Sequence, residues 1–379
     1  MKILLLIDSF STGGAELSTL TLFGYLKEKG VSVRIARLVS KQPEYDSEAF
    51  GFSESEIYTF THTRFLQKRK EFIRLLADFQ PDIVHSVLFR SNLLVRSVRM
   101  THTDFVHLES LVNLTYSDNR LNEPKVSRLK LKFYQYLDMI TAFLGTDYFH
   151  ANGFSVAEHY QTKLKINSKK ITVIYRGRNA EAFAVRPAAR ADFQIPEDRL
   201  VLVNVARQEF QKGQDVLLRS LSLLSKEVLA QVHVLVVGKS GNFSPRLQET
   251  LATLHLQDQV TFLGHRNDVP ALLNMADIFV FPSRYEGLPG SLIEAEGAGL
   301  PIICTHLPMM LEVIEVNKNA LTFPSDNATA LAAAITEMVG NPTLRHEFGS
   351  RSRAIFLEKF QIAAVHQKMY ELYVKLMPR

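Results

Sequence analysis

The sequence predicts an α/β protein built on two doubly wound parallel sheets. Three observations carry that prediction. Short apolar runs alternate with amphipathic stretches along most of the 379 residues. The runs are apolar on both faces, as strands must be when helices cover a sheet from both sides. The alternation weakens once, over 184–198, and restarts at Leu200. The expected domains are therefore 1–183 and 184–379.

In the first half, "KILLLID" reads as a buried strand and "GGAELSTLTLFGYLKEKG" as a helix ended by Gly30. "VSVRIARL", "PDIVHSV", "DFVHLES", "DYFHAN" and "KITVIY" continue the strands, with helical pieces between most of them. The stretch "AEAFAVRPAARADFQIPEDR" has no clean period and two prolines, and it reads as a linker. In the second half, "LVLVNVAR", "VHVLVVG", "QVTFLG", "DIFVFPS" and "PIICT" are the strands. From about Ala328 the chain reads as helix, and the spacing in its last piece (362–379) calls for a packing partner. Two such sheets facing each other would leave a cleft, a usual place for a substrate.

Composition narrows the function classes. Apolar residues make up 46% and charged residues 22%, enough for a full core. The formal charge of +5 suits an anionic small ligand, a membrane surface or nucleic acid. Nucleic acid is disfavoured, because no known binding module appears and acidic residues interleave with the basic ones. Cys304 is the sole cysteine, which excludes an internal disulfide and a cysteine zinc cluster. The opening apolar run is too short for a signal-peptide core, and nothing approaches the length of a membrane span. The expected location is cytoplasmic, with the inner face of the membrane as a second address.

Four features bear on chemistry. The segment "YEGLPGSLIEAEGAG" places Glu286 and Glu294 around a proline and glycines that suit the start of a helix. The free amides at that helix start favour a phosphate or carboxylate, which makes Leu288, Pro289 and Gly290 the candidate anion-binding segment, with Leu288 and Gly290 as its N–H donors. The two glutamates would repel that anion, so hydroxyls of a sugar or ribose are their natural partners. A capped surface helix with two solvated glutamates fits the same spacing. In "VARQEFQKGQD", Arg207 and Lys212 flank a short loop after a strand. Two cations beside a helix N-terminus suit a pyrophosphate, one as a fork and one as a point charge; two ordinary surface charges are the alternative. "DSFSTGGAE" puts Gly13 and Gly14 at a strand-to-helix turn without the dinucleotide-binding glycine pattern. His85 and His107 are read near the carboxyl ends of their strands, the functional end, and spacing does not separate them.

Together these motifs resemble the retaining glycosyltransferases of family four, which have the GT-B fold of two Rossmann-like domains. The resemblance runs in order through "GGAE", "RQEFQKG" and "LGHRNDVPALLNMADIFVFPSRYEGLPGSLIEAEGAGLPIICT", whose Glu286 and Glu294 match an E-x7-E motif. It implies a nucleotide-sugar donor, with UDP favoured, and a glycan or lipid-linked acceptor in cell-surface polysaccharide or glycolipid synthesis. Arg207 and Lys212 would bind the diphosphate, Glu286 the donor sugar and Glu294 the ribose. Gly13 and Gly14 would lie near the phosphates, and His107 would close on the sugar. The sequence has no D-x-D triplet, so neither a metal nor another cofactor is expected. A non-catalytic nucleotide-sugar-binding protein and a GT-B epimerase are the rival readings. Two departures bear on donor identity: "IYRGRNAEAF" between the domains, and "HLPMM" after "PIICT".

Two first-half stretches, "RFLQKRKEFIRLL" and "KVSRLKLKFYQYLDMITAFLG", mix cations with apolar residues at helical spacing. Each fits an anionic membrane surface. Each also fits a core helix with a solvated basic face.

Overall fold

A strand whose side chains alternate between two apolar layers needs helices on both faces, and the first sheet is built that way. The computed structural model describes residues 1–11, 13–40, 44–123 and 126–377. Lys125, the first residue of the second basic stretch, lies outside them. Two compact units form: one from residues 1–116, 126–177 and 363–379, the other from 117–125 and 178–362.

In the first unit, β1 (Lys2–Ile7), α1 (Gly14–Glu28), β2 (Ser32–Arg37) and β3 (Ile57–Thr59) come first. Then follow α2 (Phe65–Phe79), β4 (Ile83–Val87), α3 (Phe89–Arg99) and β5 (Val106–Leu111). The chain continues through α4 (Arg128–Gly145), β6 (Tyr148–Ala151), α5 (Phe154–Leu164) and β7 (Ile171–Val173). The strands form one seven-stranded sheet in the order β3-β2-β1-β4-β5-β6-β7, with every pair parallel. On β1 the alternation is plain. Ile3, Leu5 and Ile7 enter one core layer, and Leu4 and Leu6 enter the other.

In the second unit, β8 (Leu200–Val205), α6 (Gln214–Leu221), α7 (Lys226–Ala230), β9 (Val232–Val237) and α8 (Ser244–Thr253) are followed by β10 (Val260–Gly264) and α9 (Val269–Met275). Next come β11 (Ile278–Phe281), α10 (Gly290–Gly297), β12 (Ile302–Thr305), α11 (Pro308–Leu311) and β13 (Ala320–Phe323). The helices α12 (Ala328–Gly340) and α13 (Pro342–Lys359) close it. Six strands pair in the order β10-β9-β8-β11-β12-β13, again all parallel. The two-sheet α/β class is the one the alternation of apolar runs predicts.

The final helix, α14 (Ile362–Leu376), belongs to the first unit. Its buried Val365, Met369, Leu372 and Tyr373 share a core with Leu22, Phe23 and Leu26 of α1. The stretch 184–198 belongs to the second unit. It holds a short 3-10 turn, Arg190–Phe193, and a buried Ile195.

Candidate active site

In an open parallel sheet, ligands collect beyond the carboxyl ends of the strands where the strand order reverses. In the second sheet that point lies between β8 and β11, which are neighbours although far apart in sequence. The chain leaves β8 into 206–213 and leaves β11 into 282–289. The two charged motifs of the sequence therefore stand on adjacent loops.

Those loops are stitched together. The Arg284 amide donates to the Gln211 carbonyl at 2.8 Å, and Gln211 Nε2 donates to the Tyr285 carbonyl at 2.8 Å. Gly213 has φ +62°, in the left-handed region, and a Cβ there would fall 2.0 Å from the Pro282 carbonyl oxygen. Only glycine allows the loops to come this close. Beneath them, Asn204 Nδ2 donates to the Val280 carbonyl at 2.9 Å, and Gln214 Nε2 donates to Asn204 Oδ1 at 3.0 Å.

Lys212 Nζ meets Glu286 Oε1 at 2.6 Å, with both side chains nearly buried. An ammonium carries three donors, so this contact leaves Lys212 capacity for a second anion. Arg207 is exposed on the same loop. Leu288 and Pro289 are buried. Gly290 opens the eight-residue α10, and Pro289 is its N-cap rather than its first helical residue. The helix thus begins beside Glu286, and its amide-rich end favours negative charge there. Glu294 lies about one turn along. Its Oε1 accepts from Arg178 Nε at 2.7 Å, and the side chain stays partly exposed.

In the first unit, Gly13 caps α1 and Gly14 begins it. A Cβ on Gly14 would fall 2.9 Å from Arg176 Nη1, so the small residue admits the guanidinium. His107 needs correction. Strand β5 starts at Val106, which puts His107 second from the amino end, opposite the end where ligands gather. It is entirely buried. Its Nδ1 pairs with the Gly145 carbonyl at 2.6 Å and its Nε2 with Ser86 Oγ at 2.8 Å. Burial drops its pKa to about 3, so it is a neutral core residue and its ring does not reach a ligand. His85 is also buried, between Tyr373 Oη at 2.6 Å and Ser110 Oγ at 2.7 Å.

The sequence reading missed Arg284, Asp215 and Gln211. Arg284 forks onto Asp215 at 3.0 and 2.9 Å, reaches Asp326 at 2.7 Å, and lies over the Phe210 ring. Burial pushes the Asp215 carboxyl up, but the two arginines beside it, Arg284 and Arg219, outweigh burial and hold it below the ordinary range. Ser283, on the same loop, is fully buried, and its Oγ has no hydrogen-bond partner among the described residues. Also among the described residues, no three His, Cys, Asp or Glu side chains are grouped to hold a metal ion.

Two family models match the chain in tandem. "Glycosyltransferase Family 4" covers residues 12–182, and "Glycosyl transferases group 1" covers 185–355. An uncharacterized glycosyltransferase of Methanocaldococcus jannaschii, MJ1059, is 26% identical over 64% of this chain and 60% of its own length. The lipopolysaccharide core biosynthesis glycosyltransferase LpsD of Rhizobium meliloti is 29% identical over 49% of this chain and 53% of its own. The chain thus spans about half to three-fifths of the length of these curated relatives. Among solved structures, Anabaena Alr3699/HepE in complex with UDP and glucose superposes with a TM-score of 0.84 at 18% identity, over 99% of this chain and 100% of that one. That likeness shows the fold, which is GT-B.

Proposed function

Since the chain belongs to the glycosyltransferases, with a family 4 domain followed by a group 1 domain, we propose that it moves a sugar from a nucleotide-diphosphate donor to a glycan or lipid-linked acceptor. A UDP-sugar is the favoured donor, and the stereochemistry at the sugar is retained. The setting is synthesis of a cell-surface polysaccharide or glycolipid at the cytoplasmic side. The observation that carries this reading is the Lys212–Glu286 pair, held at the switch point beside the start of α10.

In this reading Lys212 and Arg207 hold the diphosphate, and the amides of Leu288 and Gly290 complete its cradle. Glu286 orients the donor sugar, and Glu294 takes the ribose hydroxyls. The bond from the anomeric carbon to the phosphate oxygen breaks, and the acceptor oxygen attaches on the same face. The leaving diphosphate takes up the acceptor proton. Preorganised cations and amides act where the negative charge develops, which is the usual main source of catalysis of this kind. The two cations supply that charge without a metal. Relatives support the wider setting: LpsD is described as acting in lipopolysaccharide core biosynthesis, and HepE as crystallised with UDP and glucose.

Thermal-shift titration with UDP, GDP, ADP and their sugar conjugates, with and without EDTA, tests the reading. A ligand of the native state raises its stability with the logarithm of concentration over Kd. The expected result is a rise with UDP ligands that EDTA leaves unchanged. The absence of a rise with every nucleotide would overturn the donor site, and a rise abolished by EDTA would overturn the metal-free account.

A further inference from the structure

The helix α4 wears its apolar side outward. Leu129, Phe133, Tyr136, Ile140 and Phe143 are all exposed, from 41% at Ile140 to 84% at Phe143. Their spacing alternates between four and three residues, which draws one continuous stripe along the helix. Arg128 and Lys132 flank the stripe on one side and Lys130 on the other, and all three are exposed. The only acidic residue of the helix, Asp138, is buried on the opposite face, paired with Arg96 and accepting from Tyr116 Oη at 2.6 Å.

That buried pairing fixes the orientation. Arg96 has no exposed surface and also binds Glu109 Oε1 at 2.6 Å. Rolling α4 over to hide the stripe would pull Asp138 away and leave a buried guanidinium short of a counter-charge, a strongly unfavourable change. The outward stripe is therefore built in. The other basic helix behaves differently. In α2, Phe72, Leu75, Leu76 and Phe79 pack inward, as in an ordinary core helix with a solvated basic face.

We infer that α4 is a membrane-docking helix that lies in the plane of an anionic lipid surface. Its apolar stripe enters the boundary between headgroups and acyl chains, and Arg128, Lys130 and Lys132 reach lipid phosphates on either side. Aromatic rings beside cations suit that boundary. Charge decides between lipid and a second copy of the chain. The exposed surface of α4 offers cations and no carboxylate, so an identical helix brings nothing to neutralise it, whereas anionic headgroups do. Among the described residues no helix is long and apolar enough to cross a membrane, so α4 lies on the surface. The inference stands independently of the sugar-transfer reading.

Vesicle flotation tests it, using phosphatidylcholine vesicles with and without phosphatidylglycerol at low and high salt. The expected result is binding only to the phosphatidylglycerol vesicles, weakened by salt. Phe133→Ser with Phe143→Ser should lower the bound fraction about tenfold with circular dichroism and melting temperature unchanged, because both side chains are already exposed. Lys130→Glu with Lys132→Glu should abolish the preference for anionic lipid while leaving the stripe intact. Three results would overturn the inference: no flotation at low salt, flotation untouched by both double substitutions, or a dimer in sedimentation that the phenylalanine pair dissolves while vesicles do not bind.

Discussion

The two sheets reverse their strand order in the same way, between β1 and β4 in one and between β8 and β11 in the other, yet the chemistry at the two points differs. At the second, full charges face each other across stitched loops: Lys212 with Glu286, and Arg284 with Asp215. At the first, Asp8 accepts from the Ser91 amide and hydroxyl at 2.9 and 2.6 Å and braces the turn into α3. Leu88, just before it, adopts φ +76°, a strained conformation for a non-glycine residue. Behind that turn runs a neutral relay from Tyr373 through His85, Ser110 and His150 to the Ile174 carbonyl. The difference teaches that topology marks where a ligand can sit, and side-chain charge marks which such place is prepared for an anion.

The largest expected effect that would break this contrast is on rate. Lys212→Ala should lower the transfer rate per folded molecule about 10²–10³-fold, as removal of one preorganised electrostatic group does, and should also lower the melting temperature, because the nearly buried Glu286 loses its partner. Initial rates at saturating donor measure it, and an unimpaired variant would leave the second sheet without a privileged role.

Next in size is the buckle. Arg284→Ala should cost about 3 kcal/mol of stability, because the buried Asp215 loses its forked partner and keeps only the half-exposed Arg219 of its two arginines. Urea unfolding reads that value. A loss confined to nucleotide affinity would instead make Arg284 a ligand contact.

In the first unit, His107→Gln should cost about 1–2 kcal/mol through two impaired buried hydrogen bonds and leave turnover per folded molecule intact. A selective fall in turnover would restore His107 to the site.

Acid should separate the units most gently. Burial holds the pKa values of His107 near 3 and of His150 and His366 near 4, below the ordinary histidine value of about 6.5. The unfolded chain then binds more protons than the native one between those limits. Stability from these groups is complete above about 6.5 and drains away as pH falls through about 4. The depressed Asp215 loses its contribution only below the ordinary aspartate range. Amide exchange in β4–β6 should therefore accelerate relative to β8 and β11, which carry no histidine, as the pH is lowered over that interval. Equal acceleration in β8 and β11 would contradict the assignment of buried neutral histidines.

Much of this was legible in the sequence. Apolar runs such as "KILLLI" and "VHVLVV" are strands, because a strand covered on both faces is apolar at nearly every position. Lys212 and Glu286 were each placed at a strand's carboxyl end, and their meeting follows once β8 and β11 are neighbours. His107 was misplaced by a boundary. Read over Asp104–Ser110 it lies at the middle of its strand, but the strand runs Val106–Leu111, and a start two residues later leaves it next to the amino end. Arg284 and Asp215 were invisible for another reason. They lie far apart in the chain, and each alone looks like an ordinary surface charge until the sheet order brings them together. The stripe on α4 was visible as a period, but a period does not say which face points outward. That depended on Asp138 finding Arg96.

The most direct measurement is amide hydrogen exchange across the whole native protein, with and without saturating UDP. Protection should concentrate in 206–213 and 282–290, the loops that carry Lys212 and Glu286 and the start of α10. Protection confined to the turns after β1 and β4, or none in the loops of the second sheet, would contradict it.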